Sequence, residues 1–360
     1  IMLNRRTAPD LYIGTVAVTM DPGNRVAIGG NGTPLDWLVE MKRFDPRKTL
    51  DMLAAENGLE DGLLLPLADQ CAKMHSSARI LDQIDFPATI AGIISGNRAE
   101  LLAAGEAVFG INQIDELISR HEHAFRELKS AMEHRTMQHH VRECHGDLHL
   151  GNICLFEGRP LIFDAIEFNE AFNAIDTFYD IGFLLMDLVA QKDRRAASIL
   201  FNRYLFRNSD YDALRVLPFY QSLRATIRAH VLAKSASQST DRARQEALAD
   251  RARHYFDTAN TLLEKAPVRI IAIGGYSGTG KSTLANRVAP WVGASPGAVV
   301  LSSDLIRKRL FSGEPETRLD PQFYRPEASD RVYRELLDCA RRTLSGQVSV
   351  ILDATFMHAE

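Results

Sequence analysis

Residues 268–283 read VRIIAIGGYSGTGKST, an apolar run that meets a glycine pair and ends in Gly280-Lys281-Ser282. Gly275 to Ser282 fits the pattern G-x-x-x-x-G-K-[ST], and TLANRVAPWV, Thr283 to Val292, reads as a helix after it. Strand, glycine-rich turn and helix start, in that order, aim backbone N–H groups and a partial positive charge at one point. Such a loop holds phosphate: Lys281 reaches the β- and γ-phosphates of a nucleotide and Ser282 reaches Mg²⁺. Gly275, Ser277, Gly278, Thr279, Gly280 and Thr283 complete the expected cradle. An accidental match by a glycine-rich turn is expected in roughly one chain in a hundred of this length, before the strand and helix context is counted.

Two segments further on belong with this loop. AVVLSSDLIRKRL, Ala298 to Leu310, predicts a buried strand ending at Ser302-Ser303-Asp304 and then a basic helix start. VSVILDATF, Val348 to Phe356, predicts another buried strand ending in Asp353. VRIIAIGG is expected to be fully buried as well. Strand C-termini gather at the ligand crevice of a parallel sheet. Asp353 is therefore expected in the Mg²⁺ shell, and Asp304 and Arg307 toward an acceptor substrate. Asp304 is equally readable as the N-cap of the helix it precedes, and the two roles are compatible.

GYSGTGKST, SSDLIRKRL and LDATF together resemble the small-molecule P-loop kinases, the group that includes gluconate and shikimate kinases. The resemblance covers about Val268–Glu360. It implies a P-loop parallel sheet with flanking helices that binds ATP. The lid segment, where that family keeps a catalytic arginine, would come later. The chain opens at Ile1 on a patterned segment and stops at Glu360 just after a strand pattern, so both ends read as truncations.

A second constellation lies upstream. His145-Gly146-Asp147-Leu148-His149-Leu150-Gly151-Asn152 contains H-x-D-x-x-x-x-N, and a short apolar hairpin then delivers Ile162-Phe163-Asp164. Phosphate transfer to a hydroxyl needs this set: Asp147 to accept the proton, Asn152 and Asp164 to hold Mg²⁺ on the nucleotide. A metal reading competes, because His139, His140, His145 and His149 crowd the region and H-x-D-x-H could bind zinc. Gly146 and Gly151 argue for a loop rather than the helix such spacing needs. A third reading is an ordinary loop around a buried histidine. His145 is expected to hold the loop by packing and hydrogen bonding, and His139–His140 to be a solvated helix end.

HGDLHLGNI resembles the catalytic loop of the aminoglycoside phosphotransferase and choline-kinase group, which has a protein-kinase-like fold. IFDAIEFN fills the place of its metal-binding Asp segment. IDTFYDIGFLLMDL resembles its next helix, with Asp180 where the group keeps an Asp that braces the loop. The resemblance covers roughly Ile1–Lys265. It implies His145, Asp147, Asn152 and Asp164 as site residues with ATP and Mg²⁺ as cofactors. Kinase-like part first and P-loop part second resembles bacterial two-part proteins in which an aminoglycoside phosphotransferase is fused to an ATP-binding protein.

Toward the N-terminus, TVAVT, RVAIGG and DWLVEMKRF are strand-like, with turns at Asp21–Asn24 and Gly29–Gly32, and predict an antiparallel meander. Gly29-Gly30-Asn31-Gly32 followed by VEMK mimics a Gly-rich loop and its lysine. Asn31-Gly32 between strands reads first as a hairpin turn. WLVEMKRF runs into the helical region, where a lobe-connecting hinge belongs, so Glu40 and Met41 are expected to offer backbone groups to adenine. The helical pattern from Ala174 to about Lys265 ends in a charged stretch read as an exposed helix. Pro267 sets a boundary near Ala266, giving domains 1–265 and 266–360. The fold class is α/β plus α+β: a partial kinase-like meander with a helical lobe, then a partial P-loop parallel sheet.

Composition sets the remaining bounds. The chain of 360 residues is 46% hydrophobic and 24% charged, with net charge -4, which gives no reason to expect nucleic-acid or membrane partners. Four scattered cysteines without a C-x-x-C pair predict reduced thiols and a cytoplasmic setting. The function expected is an ATP-dependent phosphotransferase acting on a small hydroxylated molecule, with a second nucleotide-binding half. The alternative is a regulatory or sensing protein in which one half binds ATP without transferring phosphate. A nucleic-acid-dependent ATPase fits poorly, since there is no basic patch. Nothing in the sequence sets the oligomeric state.

Overall fold

The computed structural model describes residues 1–356. Its first unit is a small antiparallel sheet of β1 (Tyr12–Met20), β2 (Val26–Ile28) and β3 (Thr33–Met41). The sheet order is β2-β1-β3, so β1 is central and the expected meander is corrected. The tight turn is the one from β1 to β2, where the Asp21 carboxylate accepts the Gly23 and Arg25 amides at 2.8 and 2.9 Å. Gly29–Gly32 is not a hairpin turn. It carries the chain across the end of β1, passing so close to the Met20 carbonyl that a Cβ on Gly32 would collide with it. β3 then pairs with β1, Val16 opposite Leu38.

A helical body follows: α1 (Leu50–Asn57), α2 (Asp61–Ser76), α3 (Phe86–Glu100), α4 (Glu106–Phe109) and α5 (Ile111–Met137). Short strands then alternate with loops: β4 (Val141–Glu143), β5 (Ile153–Phe156), β6 (Arg159–Ile162), then α6 (Glu170–Asn173) and β7 (Ala174–Asp176). β5 and β6 form the expected hairpin, while β4 pairs with β7. Four long helices complete the body: α7 (Thr177–Ala190), α8 (Arg194–Asn208), α9 (Leu217–Gln238) and α10 (Arg242–Leu262).

α7 is the axis of this body. TFYDIGFLLMDLVA is apolar around most of its surface, with Asp180 and Asp187 on one face, and it is enclosed along its length. Its N-cap, Asp176, accepts the Phe178 amide at 2.8 Å and is gripped by the buried Arg135 of α5 at 2.6 and 2.8 Å. Arg135 also holds Asp210 at 2.9 Å, which offsets the cost of burying its charge. The charged stretch read as an exposed helix breaks at Ser239, and only its first half is exposed. The second half of α10 buries Ala252, Tyr255, Phe256 and Ala259.

The last unit is a parallel sheet of β8 (Ile270–Ile273), β9 (Val299–Ser302) and β10 (Val350–Asp353), ordered β8-β10-β9. It is flanked by α11 (Lys281–Val288), α12 (Ser303–Phe311) and α13 (Pro326–Ser345). The strand ends align, Asp353 lying between Ile273 and Ser302. The expectation that VRIIAIGG is fully buried is corrected: β8 is an edge strand among the described residues, and Ile270 is 61% exposed. The opposite edge is covered. Asn202 of α8 accepts the Val300 amide at 2.7 Å and donates to the Ala298 carbonyl at 3.2 Å, so one side chain pairs with β9 as a neighbouring strand would. Arg342–Asp212 and Arg207–Glu314 ion pairs join the same two units.

Candidate functional site

HGDLHLGN runs from the end of β4 into β5 as a loop pinned from behind by α7. The two oxygens of Asp180 accept the His145 and Gly146 amides at 2.9 and 3.0 Å. Gly146 has φ 85° and packs against the Phe172 carbonyl, so a side chain there would be strained and would clash. Two turns along α7, Asp187 accepts the Leu150 amide at 3.0 Å and the Tyr255 hydroxyl at 2.5 Å. His75 of α2 sits 3.1 Å from Asp180 and 2.6 Å from the Tyr204 hydroxyl. Burial works to raise the Asp180 carboxyl, but the hydrogen bond and charge of His75, with His145 and Arg224 nearby, hold it below its ordinary value.

The loop presents Asp147. Asn152 Nδ2 donates to Asp147 Oδ2 at 2.8 Å and to its carbonyl at 3.0 Å. His149 Nε2 lies 3.4 Å from the same carboxylate. Burial pushes the Asp147 carboxyl up, yet His149, Arg224 and His145 more than offset it and bring it down to about 2. His145 is enclosed. Its Nε2 donates to the Phe163 carbonyl at 2.9 Å and its Nδ1 accepts the Asp147 amide at 3.3 Å, so it ties the loop to the end of β6. Burial lowers the basicity of its ring.

The hairpin returns Asp164 beside Asn152. Phe163 N–H donates to the Asn152 carbonyl at 2.9 Å, and Asp164 follows with φ 63° and an exposed side chain. Two residues not foreseen from the sequence fix this corner. Tyr12 hydroxyl accepts the Asp164 amide at 2.9 Å, and Asn4 accepts the Ala165 amide at 2.7 Å. Neither lies in a motif, and only the folded chain brings them 150 residues across. Asp187 had a signal, the seven-residue spacing from Asp180 that puts both on one face of α7.

The zinc reading is not supported. His139 pairs with Asp82, His140 with Asp210, His145 with Phe163 and His149 with Asp147, so the four rings go to four separate partners. His140 is only 27% exposed in its side chain, which corrects the solvated pair. His75, Cys144 and Asp180 do approach one another, but both Asp180 oxygens are already committed to loop amides.

Glu40 and Met41 end β3, opposite Gly14 and Tyr12. Met41, Phe44 and Phe163 pack against the buried cluster of Ala8, Leu11, Tyr12 and Cys154, and Phe44 meets the Phe163 ring edge-on at 5.1 Å. The segment after β3 therefore runs beside the β5–β6 hairpin. A cavity of about 390 Å³ lined by Arg43, Phe44, Asp45, Pro46 and Arg47 opens there.

In the last unit, the loop from Gly275 to Ser282 follows β8 and leads into α11 as expected, with Gly278 and Gly280 at φ 80° and 86°. Lys281 Nζ donates to the Tyr276 carbonyl at 2.6 Å, and Thr279 Oγ1 donates to the same atom at 2.8 Å. Ser277 and Thr283 are exposed. Ser282 Oγ donates to the buried Asp353 carboxylate at 2.6 Å, which joins the loop to the end of β10. Asp304 is not an N-cap: Ser302 occupies that position, and Asp304 pairs with Lys308 at 2.9 Å within the helix. Arg307 does not point to a substrate. It is buried, donates to the Phe323 carbonyl and stacks on Tyr324, which makes it a tie between α12 and the segment before α13.

No helix among the described residues is long and apolar enough to cross a membrane. Residues 270–360 match the family model of the AAA domain. Two solved structures align at low similarity. Choline kinase from Cryptosporidium parvum Iowa II gives a TM-score of 0.42 at 10% identity, over 62% of this chain and 71% of that one. Amicoumacin kinase hAmiN gives 0.39 at 15% identity, over 61% and 65%. The proteins Rv2004c of Mycobacterium tuberculosis and Mb2027c of Mycobacterium bovis, both described as uncharacterized, are 32% identical over 366 residues, covering 98% of this chain and 69% of theirs. At that identity and coverage, this chain belongs to the family of these mycobacterial proteins.

Proposed function

We propose that this protein is an ATP-dependent phosphotransferase whose first half phosphorylates a hydroxyl of a small molecule at Asp147, with a second nucleotide site at Gly275–Ser282. The observation that carries the reading is the Asp147–Asn152–Asp164 corner. One carboxylate is set by an amide at 2.8 Å, and a second follows Phe163, whose N–H donates to the backbone carbonyl of the same asparagine.

The donor set fits a hard divalent cation. Asn152 spends its amide nitrogen on Asp147, which leaves its oxygen for another partner, and Asp164 is an exposed carboxylate. Ser282 and Asp353 form a second pair of hard oxygens. When bound, Mg²⁺ would neutralise phosphate charge at these oxygens.

The rest of the work falls to the chain. Asp147, ionised at neutral pH, accepts a hydrogen bond from the acceptor hydroxyl and aims its lone pair. The acceptor oxygen bonds to the γ-phosphorus while the bond from that phosphorus to the bridging oxygen breaks. ADP leaves with the electron pair, and the hydroxyl proton passes to Asp147. A carboxylate with a pKa of about 2 is a weak base, so the proton moves late and orientation supplies most of the effect. Lys281 and the loop amides of the second site would cradle a nucleotide in the same electrostatic manner.

A second reading, in which the P-loop half regulates the first, is favoured by the pairing of Asn202 with the β9 edge, because a change in that sheet bears directly on α8. Phosphate transfer by the full-length protein, screened against small hydroxyl compounds with Mg-ATP, tests the proposal. Transfer is expected, and nucleotide binding without transfer to any compound favours the regulatory reading.

A further inference from the structure

α9 carries an arginine, Arg224, whose charge is felt at the site but which has no part in the transfer step above. Arg224 is 6% exposed, and its guanidinium lies 3.9 Å from the Tyr179 ring centroid and 4.9 Å from that of Phe183. Its Nε donates to the Tyr179 carbonyl at 3.3 Å, while its Nη2 has no partner. Among the described residues no carboxylate pairs with it. A buried guanidinium with an unused N–H group is costly unless something else meets it.

The neighbours are in the same condition. Gln221, one turn earlier on the same face of α9, is fully buried with both amide atoms unpartnered, and the Tyr179 hydroxyl is unpartnered too. Gln221 lies against Gly182, the residue between the Tyr179 and Phe183 turns of α7. Guanidinium, amide and hydroxyl groups thus lie unpartnered on the facing turns of α7 and α9, and the carboxylates of Asp180 and Asp147 feel the charge of Arg224 without hydrogen-bonding it, a donor set that suits an anion.

It also adjoins the reacting group. The Phe183 ring meets the His149 ring at 5.3 Å, and His149 lies 3.4 Å from Asp147. Exposure falls along this line: the Asp147 side chain is 39% exposed, that of His149 12%, and Arg224 6%. The charge of Arg224 is felt at Asp147, yet the two make no hydrogen bond.

We propose that Arg224, with Gln221 and Tyr179, recognises an anionic group of the acceptor, so that the molecule phosphorylated at Asp147 is a hydroxylated carboxylate or phosphate ester rather than a neutral or cationic one. The inference rests on the phosphotransferase reading and names the substrate class within it. An acceptor whose hydroxyl meets Asp147 turns its anion toward Arg224, on the side of His149 and Phe183.

The test uses the full-length protein carrying Lys281→Ala, so that transfer belongs to the first half. Four matched hexoses serve as acceptors: glucose, glucosamine, glucuronate and glucose 6-phosphate. Binding of the two anions is measured by calorimetry alongside. The anions are expected to bind and to be phosphorylated with kcat/KM about 10- to 100-fold above the other two. Arg224→Gln is expected to raise KM for the anions by a similar factor with kcat little changed, and Arg224→Lys to recover part of the loss. Anion binding that depends on Arg224 without any transfer would sink the phosphotransferase reading and keep the site. Transfer that ignores acceptor charge, loss of turnover equal for all four acceptors in Arg224→Gln, or no anion binding would each overturn the inference.

Discussion

Asn152 Nδ2 lies 2.8 Å from Asp147 Oδ2, so the residue that orients the carboxylate has its amide oxygen left to face a cation. The two roles are separable. Asn152→Asp keeps an oxygen but places a second negative charge against Asp147, whereas Asn152→Ala removes both roles. Both are expected to lower kcat, Asn152→Ala by at least about tenfold. Raised magnesium should restore part of the activity only in Asn152→Asp. Equal rescue of both, followed in a magnesium titration of the transfer rate, would mean that Asn152 is not a ligand.

Asp180 carries the loop. Asp180→Asn replaces one acceptor oxygen by an NH₂ group, so one of the His145 and Gly146 amides loses its partner in a buried site. A destabilisation of about 2–4 kcal/mol is expected, read by denaturant unfolding, together with a loss of turnover. Unchanged stability would show that the loop does not depend on this carboxylate.

The ionisation of Asp147 sets a pH window. Its folded value of about 2 lies below the ordinary unfolded carboxylate value of about 3.9. The stability it contributes is therefore present above about pH 4 and is lost as pH falls toward 2. Asp147→Asn should flatten this part of the acid unfolding profile. Activity between pH 5 and 7 should be free of any step due to Asp147, which carboxyl-carbon NMR of labelled aspartate checks directly.

At the P-loop, Lys281→Ala is expected to abolish nucleotide binding by the second half, since the glycine-rich backbone alone lacks the charge that reaches the outer phosphates. Fluorescent-ATP binding to a Val268-onward polypeptide reads this in isolation. Unchanged affinity would remove Lys281 from the site.

At the contact between the halves, where Leu214, Val299 and Leu336 belong to one apolar core, Asn202 is the side chain that pairs with β9. Asn202→Ala leaves the Val300 amide and the Ala298 carbonyl of β9 without partners, at a cost of about 1–3 kcal/mol. Limited proteolysis between Leu262 and Ile270 should become faster, while Arg342→Ala, at a more exposed pair, should change it little.

The catalytic loop and the P-loop were legible because both are local: glycine, charge and spacing within eight residues specify the turn. The hairpin was legible from β5 and β6 for the same reason. What stayed hidden is long-range. β1 takes the centre of its sheet because β2 and β3 pair with its opposite edges, and a strand pattern does not reveal its neighbours. β8 reads as a buried strand from IIAI, but exposure depends on its edge position, which no local pattern encodes. Arg307 looked like a substrate residue beside Asp304 until the fold placed Phe323 and Tyr324 over it. Arg224 gave no signal, being one arginine on a mixed helix face.

Asp147 as the group that receives the proton of the acceptor hydroxyl can be tested alone. The most direct measurement is phosphate transfer from labelled ATP by full-length protein carrying Lys281→Ala, with and without Asp147→Asn, checked for an unchanged fold by circular dichroism. In Asp147→Asn, kcat is expected to fall by about a hundredfold or more with little change in ATP affinity. Turnover near that of the parent protein, with the fold intact, would contradict it.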